Sequence, residues 1–350
     1  MRNARALAAG VPDAAHLARV GLERRHRYAL RPTRTTCLVW NTPASTQFHI
    51  DPPASTLMSG TAVILMAYGS PERIADVPAY YADIRGGRSI APENLEDLVA
   101  RYRRLGIEDS NPLNAITEAT RAALELELGV PVHTGMKHWT PRIAEAVDAA
   151  LAGGALSLVG LVLAPHYSDI SIGGYRRLLD EAVGGRAGVA FVESWHDDTG
   201  FVGFLADRVR DTESHVVFTA HSLPARIIDE GDPYRDQLLE TARLVADTAG
   251  VEDWSFSFQS ESPTGEPWLG PDILDHLGDL HGRGIDDVLV CPVGFVSDHL
   301  EIRWDIDTEA QVRARELGMR LERIEMPNAD PAFVSVLAEI VRGAVAAVAA

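Results

Sequence analysis

The amino-acid sequence predicts an α/β protein made of two similar doubly wound parallel-sheet domains. From residue 61 onward, short apolar runs rich in β-branched residues alternate with longer segments of helical period. This alternation is typical of a parallel sheet covered by helices. The apolar runs predict eight strands in two groups of four, at residues 62–67, 132–136, 156–164, 189–193, 216–220, 255–258, 287–293 and 321–325.

A weak internal repeat relates the two groups of strands. The segment AYGSP at residues 67–71 corresponds to AHSLP at residues 220–224, so that Tyr68 and His221 hold equivalent positions, each directly after an apolar run. LAPHYS and CPVGFVS form a second such pair, after the third strand of each group. Ligands of doubly wound sheets bind beyond the carboxyl ends of the strands. The repeat therefore predicts an active-site cleft between the two domains.

The chain is predicted to divide into three parts. Residues 58–212 form an N-terminal half-domain and residues 213–350 a C-terminal one, with the last helix, 330–349, packing back on the first half. The first 57 residues carry eight Arg and only three acids, although the whole chain has a net charge of −18. We interpret them as disordered before a misassigned start, because the chain from Met58 has the character of a folded domain. An Arg-rich targeting peptide is the alternative.

Composition and charge exclude several classes of protein. A net charge of −18 argues against nucleic acid or anionic lipid as the main partner, since clustered Lys and Arg bind both. No apolar run approaches the roughly 18 residues of a membrane-spanning helix, so we expect a soluble protein. Only two cysteines occur, Cys37 and Cys291, which predicts a reducing cytoplasm and no four-cysteine cluster within one chain. Neither glycine-rich nucleotide-binding motif follows a predicted strand.

Three carboxylates at steps of four stand in the segment SDHLEIRWDIDTEAQ. A helix would place Glu301, Asp305 and Glu309 on nearly one face. Such a run usually forms a solvated acidic surface. Here the helix begins at the carboxyl end of a predicted strand, where ligand sites lie, and oxygen ligands of this kind suit a divalent cation. A metal-attracting ridge is therefore the second hypothesis.

Histidines and a tyrosine follow several of the predicted strands. Taken alone, His221 is more often a hydrogen-bonded structural residue, and Tyr68 a packing residue with a satisfied hydroxyl. A His and a Glu brought together at a cleft would supply a base near neutral pH and a metal-attracting carboxylate. His138 and His166 also follow strands, and either line the same cleft or cap it.

A cluster of arginines follows the first predicted loop, in a stretch of helical pattern. Its members are Arg85, Arg88, Arg101, Arg103 and Arg104. Some of them must be plain surface charges. An acidic protein that binds an anion needs such a cluster, because guanidinium groups pair with carboxylates in a bidentate geometry.

An ordered set of motifs makes the sequence resemble the ferrochelatases from residue 61 to residue 345. The motifs are MAYGSP, IRGGR, TGMKHWTP, LAPHYS, VESW, TAHSLP, GDPY, PWLGPD, PVGFVSDHLE and EMPNA. The resemblance implies a Rossmann-like, chelatase-type fold with the active site between two domains. The AYGSP form of the first motif is similar to that of the Gram-positive and actinobacterial enzymes, which act on coproporphyrin III rather than protoporphyrin IX.

The resemblance also implies a role for each candidate residue. His221 corresponds to the family's active-site histidine and Glu301 to the carboxylate opposite it, and both are implied to be catalytic and to contact the metal. Asp305 and Glu309 continue an acidic ridge that binds the metal, and Tyr68 can ligate it from the other face of the macrocycle. The positions that match porphyrin contacts are Tyr68, Arg85, Arg101, Ser110, Asn111 and Tyr175.

Two positions depart from the family's pattern, and both concern the porphyrin's propionates. The second arginine expected after Arg85 is Gly86. The propionate-binding serine of the family falls at Ser110 or Asn111, beside a short insertion. Propionate recognition is therefore the part of the resemblance that these changes affect.

The expected activity is insertion of Fe²⁺ into coproporphyrin III, which gives coproheme in heme biosynthesis. The alternatives are a protoporphyrin IX ferrochelatase, another class II tetrapyrrole chelatase, or a porphyrin carrier without turnover. A carrier would need the pocket but not the acidic ridge. We expect Fe²⁺ and coproporphyrin III as substrates, no tightly bound cofactor, no iron–sulfur cluster and a monomeric protein.

Overall fold

The computed structural model describes residues 59–88, 91–107, 112–262 and 264–349. Residues Ser55–Ala350 form one compact unit. The predicted leader, Ser110 and Asn111 lie outside the described residues, so the predictions made for them stay predictions. No helix in the four described ranges is long and apolar enough to cross a membrane.

Eight parallel strands form two four-stranded sheets with the same strand order. The strands are β1 (Thr61–Ala67), β2 (Val132–Met136), β3 (Ser157–Val162), β4 (Gly188–Val192), β5 (His215–His221), β6 (Trp254–Gln259), β7 (Asp287–Cys291) and β8 (Arg320–Arg323). Their order is β2-β1-β3-β4 in the first sheet and β6-β5-β7-β8 in the second. The eight predicted strands and the predicted fold class are confirmed.

Helices cover the faces of both sheets and connect the strands. They are α1 (Val77–Ile84), α2 (Pro92–Arg104), α3 (Pro112–Leu128), α4 (Ile143–Ala152), α5 (Ile172–Val183), α6 (Thr199–Val209), α7 (Arg226–Asp229), α8 (Tyr234–Ala249), α9 (Ile273–Gly282), α10 (Gln311–Leu317) and α11 (Pro331–Ala349), with a 3-10 turn at Ile74–Asp76 and a π-helix at Ile302–Ala310. Every residue of β1 is buried. Val63 and Leu65 face one core cluster, and Ile64 and Met66 face another. A strand covered on both faces carries few polar side chains, which explains why β1 is a nearly continuous apolar run in the sequence.

The C-terminal helix α11 follows the second sheet but packs on the first half-domain. Its Phe333 and Leu337 are fully buried in one core cluster with Leu124 of α3. The ring centre of Phe333 lies 5.5 Å from that of Phe204 and 6.1 Å from that of Trp195. Burial of each large side chain contributes about 1.5–3 kcal/mol. This helix therefore joins the C-terminal end of the chain to the core of the first half-domain.

The α1–α2 segment, which follows β1 and precedes α3 in the sequence, has a small apolar cluster of its own. Its apolar cluster consists of Val77, Leu98, Tyr102 and Ile107. Leu300 packs against this cluster, although it follows β7 in the second half-domain. Because Leu300 directly precedes Glu301, the α1–α2 segment lies beside the predicted site.

The helix that carries the acidic ridge is a π-helix, whereas the spacing of four predicts an α-helix. It spans Ile302–Ala310, with Glu301 as its N-cap. The Thr308 hydroxyl donates a hydrogen bond to the Arg303 carbonyl oxygen, five residues earlier, at 2.8 Å. An α-turn is slightly shorter than four residues and the i→i+5 turn is wider, so a step of four stays near one face in both. The carboxylates thus share a face although the helix type differs.

Candidate active site

Two glycines let the loops that follow β7 and β1 lie close against other parts of the chain. In the loop after β7, a Cβ on Gly294 would lie 2.5 Å from the Cβ of Ala220 in β5. In the loop after β1, Gly69 has a φ of +83°, and a Cβ there would lie 2.7 Å from the Cβ of Trp139. Any larger residue would push these loops apart. The glycines therefore fix the positions of the adjacent His221 and Tyr68.

His221 is the last residue of β5, and its ring offers Nε2 to the cleft. Nδ1 is hydrogen bonded to the backbone carbonyl oxygen of Ser222. A carbonyl oxygen only accepts, so Nδ1 carries the proton and Nε2 of the neutral ring has a free lone pair. Nε2 lies 3.8 Å from Oε1 of Glu301. The structure thus brings together the base and the carboxylate that the sequence pairs.

His299 holds Glu301 from the other side. Its Nε2 lies 3.3 Å from Oε2 of Glu301, and its Nδ1 lies 2.8 Å from the Ser297 carbonyl oxygen. Both partners only accept, so both hydrogen bonds form when the ring is doubly protonated. Burial opposes this charge, but the hydrogen bond to Glu301 and its charge raise the pKa of His299. The sequence analysis did not single out His299. Its only signal in the sequence is its place two residues before Glu301.

Glu301 is ionised throughout the physiological pH range. Burial raises the pKa of its carboxyl group, but the neighbouring His221 and the hydrogen bond from His299 outweigh that and bring the pKa to about 2. The side chain is nevertheless 40% exposed. A charged, accessible carboxylate beside an imidazole nitrogen can receive a divalent cation.

Asp305, the next carboxylate of the ridge, is more buried and less acidic. It is 7% exposed. The Ser260 hydroxyl donates a hydrogen bond to its Oδ2, and Gln259 Nε2 lies 3.4 Å from the same oxygen. Burial raises the pKa of Asp305 to about 6, with further contributions from Glu301 and Glu309. Its charge therefore changes close to neutral pH.

Tyr68 follows β1 and lies near enough to Glu301 to be affected by its charge. The residue is 41% exposed, and its ring centre is 4.6 Å from that of His138. Asp83 accepts a hydrogen bond from His138 Nδ1 at 2.9 Å, and Arg142 binds the same carboxylate. Burial raises the pKa of the Tyr68 hydroxyl, and the charge of Glu301 raises it further. The hydroxyl is therefore a neutral phenol that faces the same cleft as Glu301.

The arginines of the α1–α2 segment have no carboxylate partners among the described residues. Arg85 and Arg101 are both exposed. Arginines elsewhere are mostly paired; Arg142 with Asp83 is one example, at 2.9 Å. The chain has many more carboxylates than cations, with a net charge of −18, so arginines without a carboxylate partner are unexpected in it. Within the described ranges, the segment thus presents guanidinium groups without a carboxylate partner beside an acidic site.

Tyr175 and His166 are buried, and Lys137 lies next to Tyr175. Tyr175 is 3% exposed in the core of the first half-domain, and Lys137 Nζ lies 5.0 Å from its ring centre. Burial lowers the pKa of Lys137, a cation that the sequence pattern did not single out. His166 is 3% exposed, with Nε2 2.9 Å from the Thr241 hydroxyl of α8. It joins the two half-domains instead of lining the cleft.

The predicted metal-binding residues do not form one closed cage. Within the described ranges, no group of three or more His, Cys, Asp and Glu side chains lies close enough together to hold a metal ion. The closest arrangement is the pair of His221 and Glu301, with Asp305 and Glu309 further along the π-helix.

Known proteins are similar in sequence to this chain over almost all of the described residues. The family described as Ferrochelatase matches residues 60–345. This chain belongs to the ferrochelatase family. The ferrochelatase of Herpetosiphon aurantiacus is 43% identical over 302 residues, which cover 81% of this chain and 98% of that protein. The coproporphyrin III ferrochelatase of Bacillus subtilis is 40% identical over 300 residues, which cover 80% and 96%.

A solved structure of similar fold is SirB. The structure of SirB from Bacillus subtilis with Fe³⁺ has a TM-score of 0.56 at 12% identity and covers 82% of this chain and 96% of that chain. At this identity the likeness shows the fold alone. Family membership makes this chain a lyase-class metal chelatase of heme biosynthesis, as the sequence motifs imply.

The pKa of Asp305 predicts how iron use by this ferrochelatase depends on pH. Only the ionised carboxylate attracts Fe²⁺, so the KM for Fe²⁺ should fall as the pH rises through about 6. Asp305→Asn should give a higher KM that no longer changes over that range. Initial rates at varied Fe²⁺ and pH test this, because proton transfer to His221 affects kcat instead. A pH-dependent KM in the Asn variant would contradict it.

The same substitution should stabilise the fold at neutral and alkaline pH. A raised carboxyl pKa means that folding favours the neutral form, so this group destabilises the protein progressively as the pH rises through the window up to about 6. Asn is neutral at every pH. The Asp305→Asn variant should therefore melt at a higher temperature than the wild type at about pH 8 but not at about pH 3, where the carboxyl group is mostly neutral in both the folded and the unfolded state.

Proposed function

We propose that this ferrochelatase inserts Fe²⁺ into coproporphyrin III to form coproheme. The observation that carries the proposal is the juxtaposition of two chemistries. His221 and Glu301 supply a base and a cation ligand, while the α1–α2 segment supplies arginines that have no carboxylate partner in the part of the chain that the structure describes, among them Arg85 and Arg101. Guanidinium groups without partners suit a substrate rich in carboxylates. Coproporphyrin III carries more propionates than protoporphyrin IX.

The name of a relative supports the same porphyrin. The Bacillus subtilis protein that is 40% identical to this chain is a coproporphyrin III ferrochelatase. Its match covers 96% of its own length, so both half-domains and the cleft between them correspond.

The proposed chemistry exchanges pyrrole protons for iron. Each N–H bond of the free-base porphyrin breaks, its electron pair forms an Fe–N bond, and the proton passes to Nε2 of His221 and then to solvent. Glu301 holds Fe²⁺ at the cleft and delivers it to the exposed nitrogens, and Asp305 and Glu309 attract the ion along the π-helix. Arg85 and Arg101 hold the propionates, so that binding energy from remote parts of the substrate supports distortion of the ring.

We further propose that the protein holds no tightly bound cofactor and acts as a monomer. Cys291 is buried in the core, and burial raises the pKa of its thiol, which disfavours the thiolate that a cluster needs. Cys37 lies outside the described residues. Two cysteines are too few for a four-cysteine iron–sulfur cluster within one chain. Iron is therefore proposed to enter as a substrate only.

An anaerobic assay that offers coproporphyrin III and protoporphyrin IX separately tests the proposal. With Fe²⁺ in excess, coproporphyrin III should show the Soret shift of metallation, with a kcat/KM at least about tenfold above that for protoporphyrin IX. Heat-denatured protein is the control for spontaneous insertion. A preference for protoporphyrin IX would overturn the choice of substrate. Porphyrin binding without any Soret shift of metallation would indicate a carrier.

A further inference from the structure

Two arginines of α2 lie over a single tryptophan of the π-helix. The guanidinium carbon of Arg101 is 5.2 Å from the ring centre of Trp304, and that of Arg104 is 5.9 Å from it. Trp304 stands between Glu301 and Asp305 in the sequence and is only 6% exposed. A guanidinium group over an indole ring is attracted by the ring's electrons. The buried indole thus gives both arginines a fixed platform next to the iron-handling residues.

Among the described residues, the guanidinium N–H groups of Arg101 and Arg104 have no hydrogen-bond acceptor, while both guanidinium groups lie over the Trp304 ring. A stacked guanidinium keeps its N–H groups at its edge, where a carboxylate can bind. Among the residues that the structure describes, neither Arg101 nor Arg104 has a carboxylate partner. By contrast, Arg323, the last residue of β8, binds Asp307 of the π-helix at 2.8 Å and Asp298 at 3.0 Å. Two like charges over one ring repel each other, and an anion bound between them would remove that repulsion.

We propose that Arg101 and Arg104 together bind one carboxylate of the tetrapyrrole substrate, with Trp304 as their positioning residue. Arg104 is a contact that the sequence motifs do not assign. The proposal rests on the proposed function, because the ligand is a propionate of the porphyrin. Arg104 would be a third guanidinium group for propionates, beside Arg85 and Arg101, in a chain that has Gly86 where the family's pattern has an arginine.

Tyr81 lies near enough to Glu301, Arg101 and Arg85 to be affected by the charges of all three. Burial raises the pKa of the Tyr81 hydroxyl, Glu301 raises it further, and Arg101 and Arg85 lower it. One hydroxyl therefore senses the iron-binding carboxylate and both arginines. A carboxylate bound by Arg101 and Arg104 would lie at the edge of the same cleft.

A role at the end of the helix is the alternative explanation for these arginines. Arg101, Arg103 and Arg104 all lie in the last turn of α2, where cations interact favourably with the helix dipole. That role would make the three residues equivalent. Only Arg101 and Arg104 lie over Trp304. Arg103 is therefore a matched control, since it has the same charge in the same helical turn.

The test compares Arg104→Ala with Arg103→Ala in the full chain. Spectroscopic titration gives the Kd for coproporphyrin III, and initial rates give the KM for Fe²⁺. Loss of a charge-assisted contact should raise the Kd of Arg104→Ala by about tenfold or more and leave the KM for Fe²⁺ unchanged. Arg103→Ala should bind like the wild type. The tetramethyl ester of coproporphyrin III, which has no carboxylates, should bind the wild type and Arg104→Ala equally.

Substitution of Trp304 separates the positioning role from the direct contact. Trp304→Phe keeps an aromatic face and should bind coproporphyrin III nearly as well as the wild type, whereas Trp304→Leu should weaken binding by several-fold, about as much as loss of the cation–π contacts predicts. Arg104 is exposed, so Arg104→Ala remains a decisive test even if Trp304→Leu does not fold.

Equal Kd values for Arg104→Ala and Arg103→Ala would overturn this inference while the wild type still metallates coproporphyrin III. A wild type that does not metallate coproporphyrin III would instead overturn the proposed function. The two failures are therefore distinguishable.

Discussion

Replacement of His221 with Ala should lower kcat for iron insertion by about 10²- to 10⁴-fold, which is the usual contribution of a positioned general base. The reason lies in the fixed tautomer of the ring. Nδ1 is occupied by the Ser222 carbonyl oxygen, so Nε2 is the free acceptor next to Glu301, 3.8 Å away. The Kd for coproporphyrin III should stay within about twofold of the wild-type value, because no propionate contact is removed.

Chemical rescue gives this prediction a readout that a folding defect would not produce. Imidazole added to the His221→Ala variant should restore part of the turnover, since the truncated side chain leaves room for a diffusible base. His281→Ala is the control: His281 pairs with Asp286 on the surface, and its loss should change neither constant. Near wild-type kcat in His221→Ala would show that the pyrrole protons leave by another route.

The strands could be predicted from the sequence because their apolar character has one cause. A strand such as β1 is buried on both faces, so each of its seven residues is apolar or, at Thr61, hydrogen bonded within the sheet. The positions of Tyr68 and His221 followed from the repeat, since equivalent loops follow equivalent central strands. Local pattern was sufficient for these features.

Other features of the site depend on contacts between distant parts of the chain. The contact of Arg101 with Trp304 joins α2 to the π-helix, and the hydrogen bond from Ser260 to Asp305 joins the end of β6 to it. No periodicity in the sequence encodes either contact. The π-helix itself escaped prediction because a spacing of four fits both helix types. His299 escaped because its role depends on loop geometry, which directs Nδ1 to the Ser297 carbonyl oxygen.

Replacement of Glu301 with Gln should lower kcat for iron insertion by at least about 10²-fold, the loss expected when one preorganised charge at the reacting centre is removed. The amide keeps the shape of the carboxylate but not its charge. It leaves His221 and His299 on either side of a neutral group, and Fe²⁺ without its anionic ligand. Anaerobic insertion assays, with the Kd for coproporphyrin III measured in parallel, should show that porphyrin binding is retained.

The same substitution should be visible in the titration of His299. The hydrogen bond to Glu301 and its charge raise the pKa of His299 against the effect of burial, so the pKa should fall in Glu301→Gln. A histidine whose pKa is raised by folding stabilises the protein below its unfolded pKa, and that stabilisation is lost as the pH rises through the folded pKa. The wild type should therefore exceed the variant in melting temperature most clearly in mild acid, and the difference should shrink as the pH rises.

Glu309→Gln is the matched control, because Glu309 is a half-buried carboxylate of the same ridge, two steps of four further along the chain. It should raise the KM for Fe²⁺ modestly and leave kcat and the titration of His299 unchanged. A Glu301→Gln variant with near wild-type kcat would remove Glu301 from the insertion step. An unchanged His299 titration in that variant would show that the pair seen at 3.3 Å does not hold the imidazolium charge. Loss of kcat together with a fall in the pKa of His299 would place the two histidines and the carboxylate in one working unit at the cleft.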